Sequence, residues 1–308
     1  EEAVEEAERG DYVVFDPVTD LFNARQEPDL FLRQHSTPLI LDEIQFAPEL
    51  VPAIKRHVDA VGAVAGQFVL TGSQQWQVMR SLSESLAGRA VFLDLEGFSL
   101  SELAGGGMRP SWLSRWLDSP EEAVATRTAE SSRYSGPLWE WLWRGFLPAV
   151  QPLSAELVPE FWSGYLRTYI ERDARMAGEV GDWQQFSRLI RLISALTAQE
   201  INYSQLGREI GMTPQTARRW LAILQGTFQW MELPAYSGNA VKRVSGKPKG
   251  HFADTGLVCH LAQLNSPAAI GGHPLLGALF ETAMVHELRK QDAALPGSGA
   301  QYHWRSAG

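Results

Sequence analysis

Two adjacent carboxylates follow a short apolar run near the start of the chain. Asp42 and Glu43 come directly after Leu39-Ile40-Leu41, a run that predicts a buried β-strand. In open α/β sheets, ligands bind at the carboxyl ends of the strands, where these two acids would lie. Asp42 would hold Mg²⁺ through its water shell, and Glu43 would polarise an attacking water. The run thus has the pattern of a Walker B motif, although many buried strands without this role also end in acids.

Two polar residues further along the chain extend this pattern. Ser73 follows the next apolar run, residues 67–70, and would lie close enough in a parallel sheet to contact a γ-phosphate or the attacking water. Arg89 would stabilise transition-state charge as an arginine finger. The alternative for Arg89 is a surface ion pair.

A second candidate region lies between residues 201 and 252. Leu206 and Ile210 have helical spacing, Gly211 permits a tight turn, and Thr213 would cap a second helix that begins at Pro214. Two helices joined in this way predict a helix-turn-helix. The strands of a wing would follow within residues 226–252.

Such a motif contacts DNA through the early residues of its second helix and through basic residues of the wing. The candidates are Gln215, Thr216, Arg218, Arg219, Lys242 and Arg243, with Lys247 and Lys249 as further phosphate contacts. The net charge of the whole chain is −9, yet residues 201–250 contain seven Lys or Arg and only two Glu, a local charge of +5. Protein packing is the alternative use of the motif, and the sequence leaves both open.

The C-terminal part contains one further candidate acid. Glu281 lies on a predicted amphipathic helix, residues 276–288, and residues 301–305 predict a strand. A single helix Glu cannot build a metal site, and such residues usually lie at the surface or cap a helix. The sequence identifies no partner for His286 or His303.

The elements that would position these residues favour an α/β fold. Apolar runs at residues 12–15, 39–41, 67–70 and 90–93 predict strands, and residues 49–61 predict a helix between two of them. Strands that alternate with helices predict a parallel sheet. Residues 1–9 also have helical composition, and from residue 138 the chain becomes Trp-rich and mainly helical.

Three motifs together resemble a prokaryotic AAA+ ATPase family: residues 42–45, 70–73 and 84–89. Its members join a P-loop ATPase domain to a helical, winged-helix and nuclease-like region of unknown function. Later matches at 169–173, 252–257 and 280–282 extend the resemblance over nearly the whole chain. The resemblance implies a parallel P-loop-type sheet with helices, then a mainly helical region with a winged helix and a partial restriction-endonuclease-like C-terminus. It also implies ATP and Mg²⁺ as cofactors.

The composition, the motifs and the resemblance together divide the chain into five expected segments. They are an ATPase-like α/β domain without Walker A (1–104), a linker or mobile insert (105–137), a helical region (138–200), a winged helix-turn-helix (201–252) and the start of a nuclease-like domain (253–308). Nuclease activity would need a later Glu-x-Asp pair that these residues do not contain.

One departure from the family pattern matters for function. The phosphate-loop motif G-x-x-x-x-G-K-[ST] does not occur in the 308 residues. In the family this loop precedes a strand like residues 12–15, so we expect it upstream of Glu1. Without it, the nucleotide affinity of this chain would be very low. The alternative is a degenerate ATPase that has lost the loop.

Two functions therefore remain. The first is an AAA+-type ATPase that drives conformational change on a protein or nucleic-acid partner, alone or as a homo-oligomer. The alternative is a DNA-binding winged-helix protein with a degenerate ATPase-like domain. The single cysteine, Cys259, excludes an internal disulfide, and no apolar run approaches the length of a membrane helix. We therefore expect a cytoplasmic protein with no membrane association.

Overall fold

The computed structural model divides into two compact units, Glu1–Phe92 and Leu93–Gly308. The structure describes residues 10–15, 21–62, 64–72, 85–107, 110–125, 137–171, 180–239, 243, 246–295, 297 and 299–304. The predicted helix at residues 1–9 and the candidate residues Ser73 and Lys242 lie outside these ranges. The boundary between the two units follows Phe92, whereas we expected the first domain to end at residue 104.

The first unit is built on a three-stranded parallel sheet in the order β1-β2-β3. The predicted strands at 12–15, 39–41 and 67–70 and the predicted helix at 49–61 are confirmed, with bounds that shift by a residue or two. The elements are β1 (Asp11–Val14), α1 (Leu21–Gln26), α2 (Pro28–Arg33), β2 (Leu39–Asp42), a 3₁₀ turn (Ile44–Phe46), α3 (Leu50–Val61) and β3 (Phe68–Leu70).

A single apolar core holds this unit together. Leu39 and Leu41 of the central strand are fully buried, and they pack in one cluster with Leu50 and Ile54 of α3. Because α3 buries residues three and four positions apart, its apolar stripe covers one face of the sheet. The strand register places Val14 beside Asp42 and Leu41 beside Leu70.

The prediction of a fourth strand at residues 90–93 is wrong. These residues form no regular secondary structure, and the exposed fractions of Val91 and Leu93 are 87% and 79%. A strand is stable only when a neighbour satisfies its backbone hydrogen bonds. None of the described strands pairs with this segment, so its apolar side chains alone do not make it a strand.

The second unit is mainly helical and contains a small antiparallel sheet in the order β4-β6-β5. Its elements are α4 (Leu100–Leu103), α5 (Trp112–Asp118), α6 (Pro120–Ala125), α7 (Leu138–Arg144), α8 (Val158–Tyr165), a π-helical segment (Leu166–Glu171), α9 (Trp183–Ala195), β4 (Gln199–Glu200), α10 (Tyr203–Ile210), α11 (Pro214–Gly226), β5 (Trp230–Leu233), β6 (Lys249–Phe252), α12 (Thr255–Leu261) and α13 (Leu276–Ala293), with short 3₁₀ turns at Pro148–Val150, Ala155–Leu157 and Pro267–Ile270.

Two predicted segments of this unit can be compared with the structure. Residues 105–137, the predicted linker or mobile insert, contain the short helices α5 and α6. Ser111 caps α5 by accepting the Ser114 N–H, and Leu113 N–H donates to Gln291 on α13. At the C-terminus, the predicted strand at 301–305 is reduced, in its described part, to an isolated bridge between His303 and Ala235.

A buried carboxylate joins two helices of the second unit. Asp254 caps the start of α12 by accepting the Gly256 N–H at 2.7 Å, and it accepts the Phe146 N–H just after α7 at the same distance. Burial raises the pKa of Asp254, and the two N–H donors act in the opposite direction. Gly145 lies against this carboxylate with φ +85°, a conformation that favours glycine.

This close approach predicts a large effect of adding one methyl group. We expect Gly145→Ala to lower the free energy of unfolding by about 2–4 kcal/mol, because overpacking and an unfavourable φ act together. The new Cβ would lie 2.0 Å from Asp254 Oδ1. The test is urea unfolding followed by tryptophan fluorescence, since every tryptophan except Trp76 belongs to the second unit.

The matched control is Gly277→Ala on the exposed side of α13. Nothing lies within 4 Å of its added Cβ, so this variant should be neutral or up to about 1 kcal/mol more stable. Equal unfolding midpoints for the two variants would contradict the packing argument around Asp254.

Candidate functional site

The carboxyl ends of the three parallel strands bring the first set of candidate residues together. Asp42 is the last residue of β2, and Glu43 follows it. Thr71 directly follows β3, the strand that pairs with β2. Tyr12, on β1, reaches the same edge through its side chain. Polar groups of neighbouring strands thus lie together at this edge: Thr71 is a neighbour of Asp42, while the predicted residue, Ser73, lies outside the described residues.

Asp42 is held between its two neighbouring strands. Tyr12 Oη donates to Asp42 Oδ2 at 2.6 Å, and Thr71 Oγ1 donates a short hydrogen bond to Oδ1. The backbone N–H of Glu43 donates to Oδ1 at 3.1 Å. The hydrogen bonds from Thr71 and Tyr12 lower the pKa of Asp42, because they stabilise its charged form. The carboxylate is thus ionised and oriented at neutral pH, the state that a divalent cation requires.

Glu43 adopts a left-handed backbone conformation, with φ 59° and ψ 43°. This conformation is uncommon for a residue other than glycine and costs about 1–3 kcal/mol, so it persists only where the surroundings impose it. Here the N–H of Ile44 donates to the Thr71 carbonyl at 3.0 Å, and Gln45 Nε2 donates a short hydrogen bond to Glu43 Oε2. Gly72 passes so close to Gln45 that an added Cβ would lie 2.4 Å from its amide oxygen.

Arg89 is engaged away from these acids. Its Nε donates to Asp59 Oδ1 at 2.6 Å and its Nη2 to Oδ2 at 3.1 Å, so it forms a bidentate ion pair with α3. The same contact lowers the pKa of Asp59. This is the surface ion pair that the sequence left as the alternative. A role as an arginine finger stays a prediction.

A magnesium ion would find a partial ligand set at the strand edge. No group of three or more His, Cys, Asp or Glu side chains that could hold a metal occurs among the described residues. Mg²⁺ commonly binds one or two carboxylates and completes its shell with waters and substrate phosphates. The ionised Asp42 beside Glu43 fits that mode of binding.

The helix-turn-helix residues lie in the second unit, where the predicted local structure is present. Gly211 is left-handed with φ 79°, and Thr213 Oγ1 caps α11 by accepting the Thr216 N–H at 3.1 Å. Ala217, Leu221 and Leu224 are buried as predicted. Thr216 is therefore part of the cap, and its hydroxyl lies 2.9 Å from that of Thr213.

The remaining candidates separate into two groups. Gln215, Arg218 and Arg243 line one open groove beside α11. Arg219 lies at the surface on the same helix and is not among the groove residues, and Lys242 is outside the described residues. The Arg218 guanidinium stacks over the Tyr203 ring, 4.5 Å from its centroid. The Tyr203 hydroxyl donates to the Glu232 carboxylate, at 2.8 Å from Oε1 and 2.6 Å from Oε2, and burial and Glu232 raise the pKa of Tyr203.

The C-terminal candidates have structural partners. Glu281 forms an ion pair with Lys249 on β6, at 2.6 Å. His286 binds the Phe252 carbonyl through Nε2 at 2.8 Å and Glu96 Oε2 through Nδ1 at 3.1 Å. His303 Nε2 lies 3.0 Å from the Lys247 carbonyl. These contacts join distant parts of the chain, so sequence spacing could not reveal them.

The contact between Thr71 and Asp42 predicts a measurable titration. We expect Thr71→Val, which keeps the side-chain shape but removes the donor, to raise the pKa of Asp42 towards its ordinary value. Tyr12→Phe should act in the same direction with a smaller shift, because its hydrogen bond is the second cause. NMR titration of the Asp42 carboxyl carbon measures both.

The stability of Thr71→Val at acid pH is a second measurement of the contact between Thr71 and Asp42. A lowered aspartate pKa contributes stability above the ordinary pKa and loses that contribution as pH falls through the folded-state pKa. Thr71→Val should therefore lose less stability than wild type on acidification. Thr168→Val, whose hydroxyl binds the Gly164 carbonyl in the second unit, should leave the Asp42 pKa unchanged. An unchanged pKa in Thr71→Val would contradict the contact.

Among the helices that the structure describes, none is both long enough and apolar enough to cross a bilayer. No solved structure matches the chain. Two curated relatives are the uncharacterized proteins Mb2031c of Mycobacterium bovis and Rv2008c of Mycobacterium tuberculosis. Each is 26% identical over 280 residues, 91% of this chain and 56% of the relative. The chain thus spans about half the length of these relatives.

Two family models match separate parts of the chain. Residues 136–268 match a domain of unknown function, DUF8612, which covers the helix-turn-helix and the small sheet. Residues 2–104 match the model of an AAA domain, which covers Asp42, Glu43 and Arg89. With the parallel sheet and its acidic edge, this match supports an AAA-type ATPase-like domain at the start of the chain.

Proposed function

We propose that the first unit is the hydrolytic part of an AAA-type ATPase that uses ATP with Mg²⁺ to drive conformational change on a protein or nucleic-acid partner. The observation that carries the proposal is the ionised Asp42, clamped between two strands at the carboxyl edge of a parallel sheet beside Glu43. The family match to an AAA domain supports it.

Each residue has a role that follows from its chemistry. Asp42 would hold the magnesium through a water shell, and Glu43 would accept a hydrogen bond from the attacking water. When bound, the magnesium would neutralise charge that develops on the phosphate oxygens. Thr71 and Tyr12 would keep Asp42 oriented, and the left-handed backbone of Glu43 would fix the direction of its side chain.

Two candidate residues complete the proposal. Ser73 would contact the γ-phosphate or the water. Arg89 would stabilise transition-state charge, within one subunit or across a homo-oligomeric interface, once it leaves Asp59. The phosphate-loop motif of such enzymes does not occur in these 308 residues, so hydrolysis is proposed for a longer form of the protein in which such a loop is present.

The hydrolytic role of Glu43 can be tested in that longer protein. We expect Glu43→Gln to lower kcat for ATP by at least about 100-fold while ATP binding persists, because only the base for the water is lost. Phosphate release and ATP binding are measured on the same preparation.

Glu27→Gln is the matched control, since Glu27 is an exposed glutamate of the same unit. Its hydrolysis rate should equal that of wild type. Hydrolysis at the wild-type rate by Glu43→Gln would place the catalytic base elsewhere.

A second candidate function is nucleic-acid binding by residues 183–252. The order α9-β4-α10-α11-β5-β6, with the sheet order β4-β6-β5, is typical of a winged helix-turn-helix. The observation that favours binding is the position of Arg218, Arg243 and Lys247 along one groove beside α11. In this proposal the basic residues contact phosphates, and Gln215 and Thr216 lie nearest the bases. Lys242 would add a further phosphate contact.

This function predicts a loss of affinity when the charges of α11 are removed. We expect Arg218→Ala/Arg219→Ala to weaken nucleic-acid binding and to reduce the slope of log K against log[salt], because fewer counterions are released. Fluorescence anisotropy at several salt concentrations measures both quantities. Arg188→Ala/Arg191→Ala removes two exposed arginines from α9 and should change neither. Equal effects of the two double variants would indicate non-specific charge attraction.

A further inference from the structure

The groove beside α11 has a volume of about 1030 Å³ and lies entirely within the second unit. One wall is formed by Gln215 and Arg218 of α11, with Tyr203 at the start of α10. Arg243 and Lys247, from the connection between β5 and β6, and Tyr302 also line the groove. We call it the α11 groove. Its volume is at the upper end of ligand sites, about 300–1,000 Å³, and exceeds what a single small ion needs.

The α11 groove carries an excess of positive charge. Arg218, Arg243 and Lys247 line it together with one acid, Glu232. Both oxygens of Glu232 accept from the Tyr203 hydroxyl, so this carboxylate already has a protein partner. Arg243 Nε is buried and has no hydrogen-bond partner in the described part of the chain. The lining thus has two more positive than negative side chains, which favours an anionic ligand.

Planar groups accompany these charges. The Arg218 guanidinium carbon lies over the Tyr203 ring, 4.5 Å from its centroid. The Tyr302 side chain is 37% exposed, and its ring packs edge-on against Tyr236 at 6.1 Å. Tyrosine rings and arginine planes are the surfaces on which unpaired bases stack.

Backbone hydrogen bonds hold the residue that follows Tyr302 against the connection between β5 and β6. His303 N–H donates to the Pro234 carbonyl at 2.9 Å, and Tyr236 N–H donates to the His303 carbonyl at 2.7 Å. The His303 ring also contacts the Lys247 carbonyl at 3.0 Å. These bonds attach residues 302–303 to the connection between β5 and β6. Tyr302 is therefore held in place before any ligand arrives, which reduces the entropy cost of binding.

The shape of the site distinguishes between forms of nucleic acid. A duplex is read by a helix that enters its major groove with the early side chains of that helix on base edges. Here two of those side chains, Gln215 and Arg218, line a groove together with Arg243, Lys247 and Tyr302. A concave basic groove with aromatic residues suits a strand whose bases are unpaired and can turn inwards.

We infer that the α11 groove binds a single-stranded nucleic-acid segment of a few nucleotides, with Arg218, Arg243 and Lys247 on its phosphates and Tyr302 stacked on a base. This inference rests on the second candidate function, nucleic-acid binding, and adds the form of the ligand. It is independent of ATP hydrolysis by the first unit.

The test compares three fluorescent probes on the 308-residue chain: a mixed-sequence 12-nucleotide DNA strand, the corresponding 12-base-pair duplex and a 12-residue polyglutamate peptide. We expect the single strand to bind at least tenfold more tightly than the duplex or the peptide. Tyr302→Ala should weaken single-strand binding about tenfold with little change in the salt slope, because it removes stacking and no charge. Arg218→Ala/Lys247→Ala should reduce the salt slope by about 1.4, since single strands release about 0.7 counterions per phosphate contact.

Matched controls separate these effects from folding and bulk charge. Trp304→Ala removes an aromatic residue that is 74% exposed and does not line the groove, and it should bind like wild type. Arg188→Ala/Arg191→Ala controls for charge, and circular dichroism verifies that each variant is folded.

Each contrary outcome has a separate meaning. Tighter binding of the duplex, unaffected by Tyr302→Ala, would overturn the single-strand inference and leave nucleic-acid binding in place. Failure of both nucleic acids to bind at low salt would overturn both proposals. Equal binding of polyglutamate and the single strand would overturn the inference in favour of an acidic peptide.

Discussion

The pairing of three parallel strands is the constraint on which the candidate ATPase site depends. Asp42 has an ordinary sequence context, and its carboxylate is oriented because β1 brings Tyr12 and β3 brings Thr71 to its two oxygens. A shift of one residue in either pairing would move these side chains to the opposite face of the sheet. The apolar core under the sheet, with Leu39 and Leu41 fully buried, therefore supports the register and the geometry of the site.

A carboxylate has a different use in each unit. Asp42 is only partly buried, and it accepts hydrogen bonds from the side chains of Tyr12 and Thr71 and from the Glu43 N–H. Asp254 is buried, and it satisfies backbone N–H groups at the end of one helix and the start of another. A buried carboxylate that accepts backbone N–H bonds stabilises the junction of two helices. The partly exposed one remains available for chemistry.

The second unit gives the helix-turn-helix a particular setting. In the local structure, Thr213 caps α11, Gly211 makes the turn, and Leu221 and Leu224 pack inwards. Residues from the connection between β5 and β6 and Tyr302 line a groove together with residues of α11. The side chains that would read a duplex from a protruding helix lie instead along a concave surface. The α11 groove, more than the helix-turn-helix motif, is the reason that we propose a single-stranded ligand.

The sequence by itself determined the local features, because they depend on short-range physics. Apolar runs predicted three strands of the first sheet, helical spacing predicted α3, and residues 211–214 predicted the turn and cap of the helix-turn-helix. Asp42 and Glu43 could be recognised because they directly follow a buried strand. Tertiary structure alone decided the contacts between distant residues: Thr71 on Asp42, Arg89 on Asp59, and Tyr302 in the α11 groove. It also decided that residues 90–93 are not a strand, since apolar composition cannot supply the neighbour whose hydrogen bonds a strand requires.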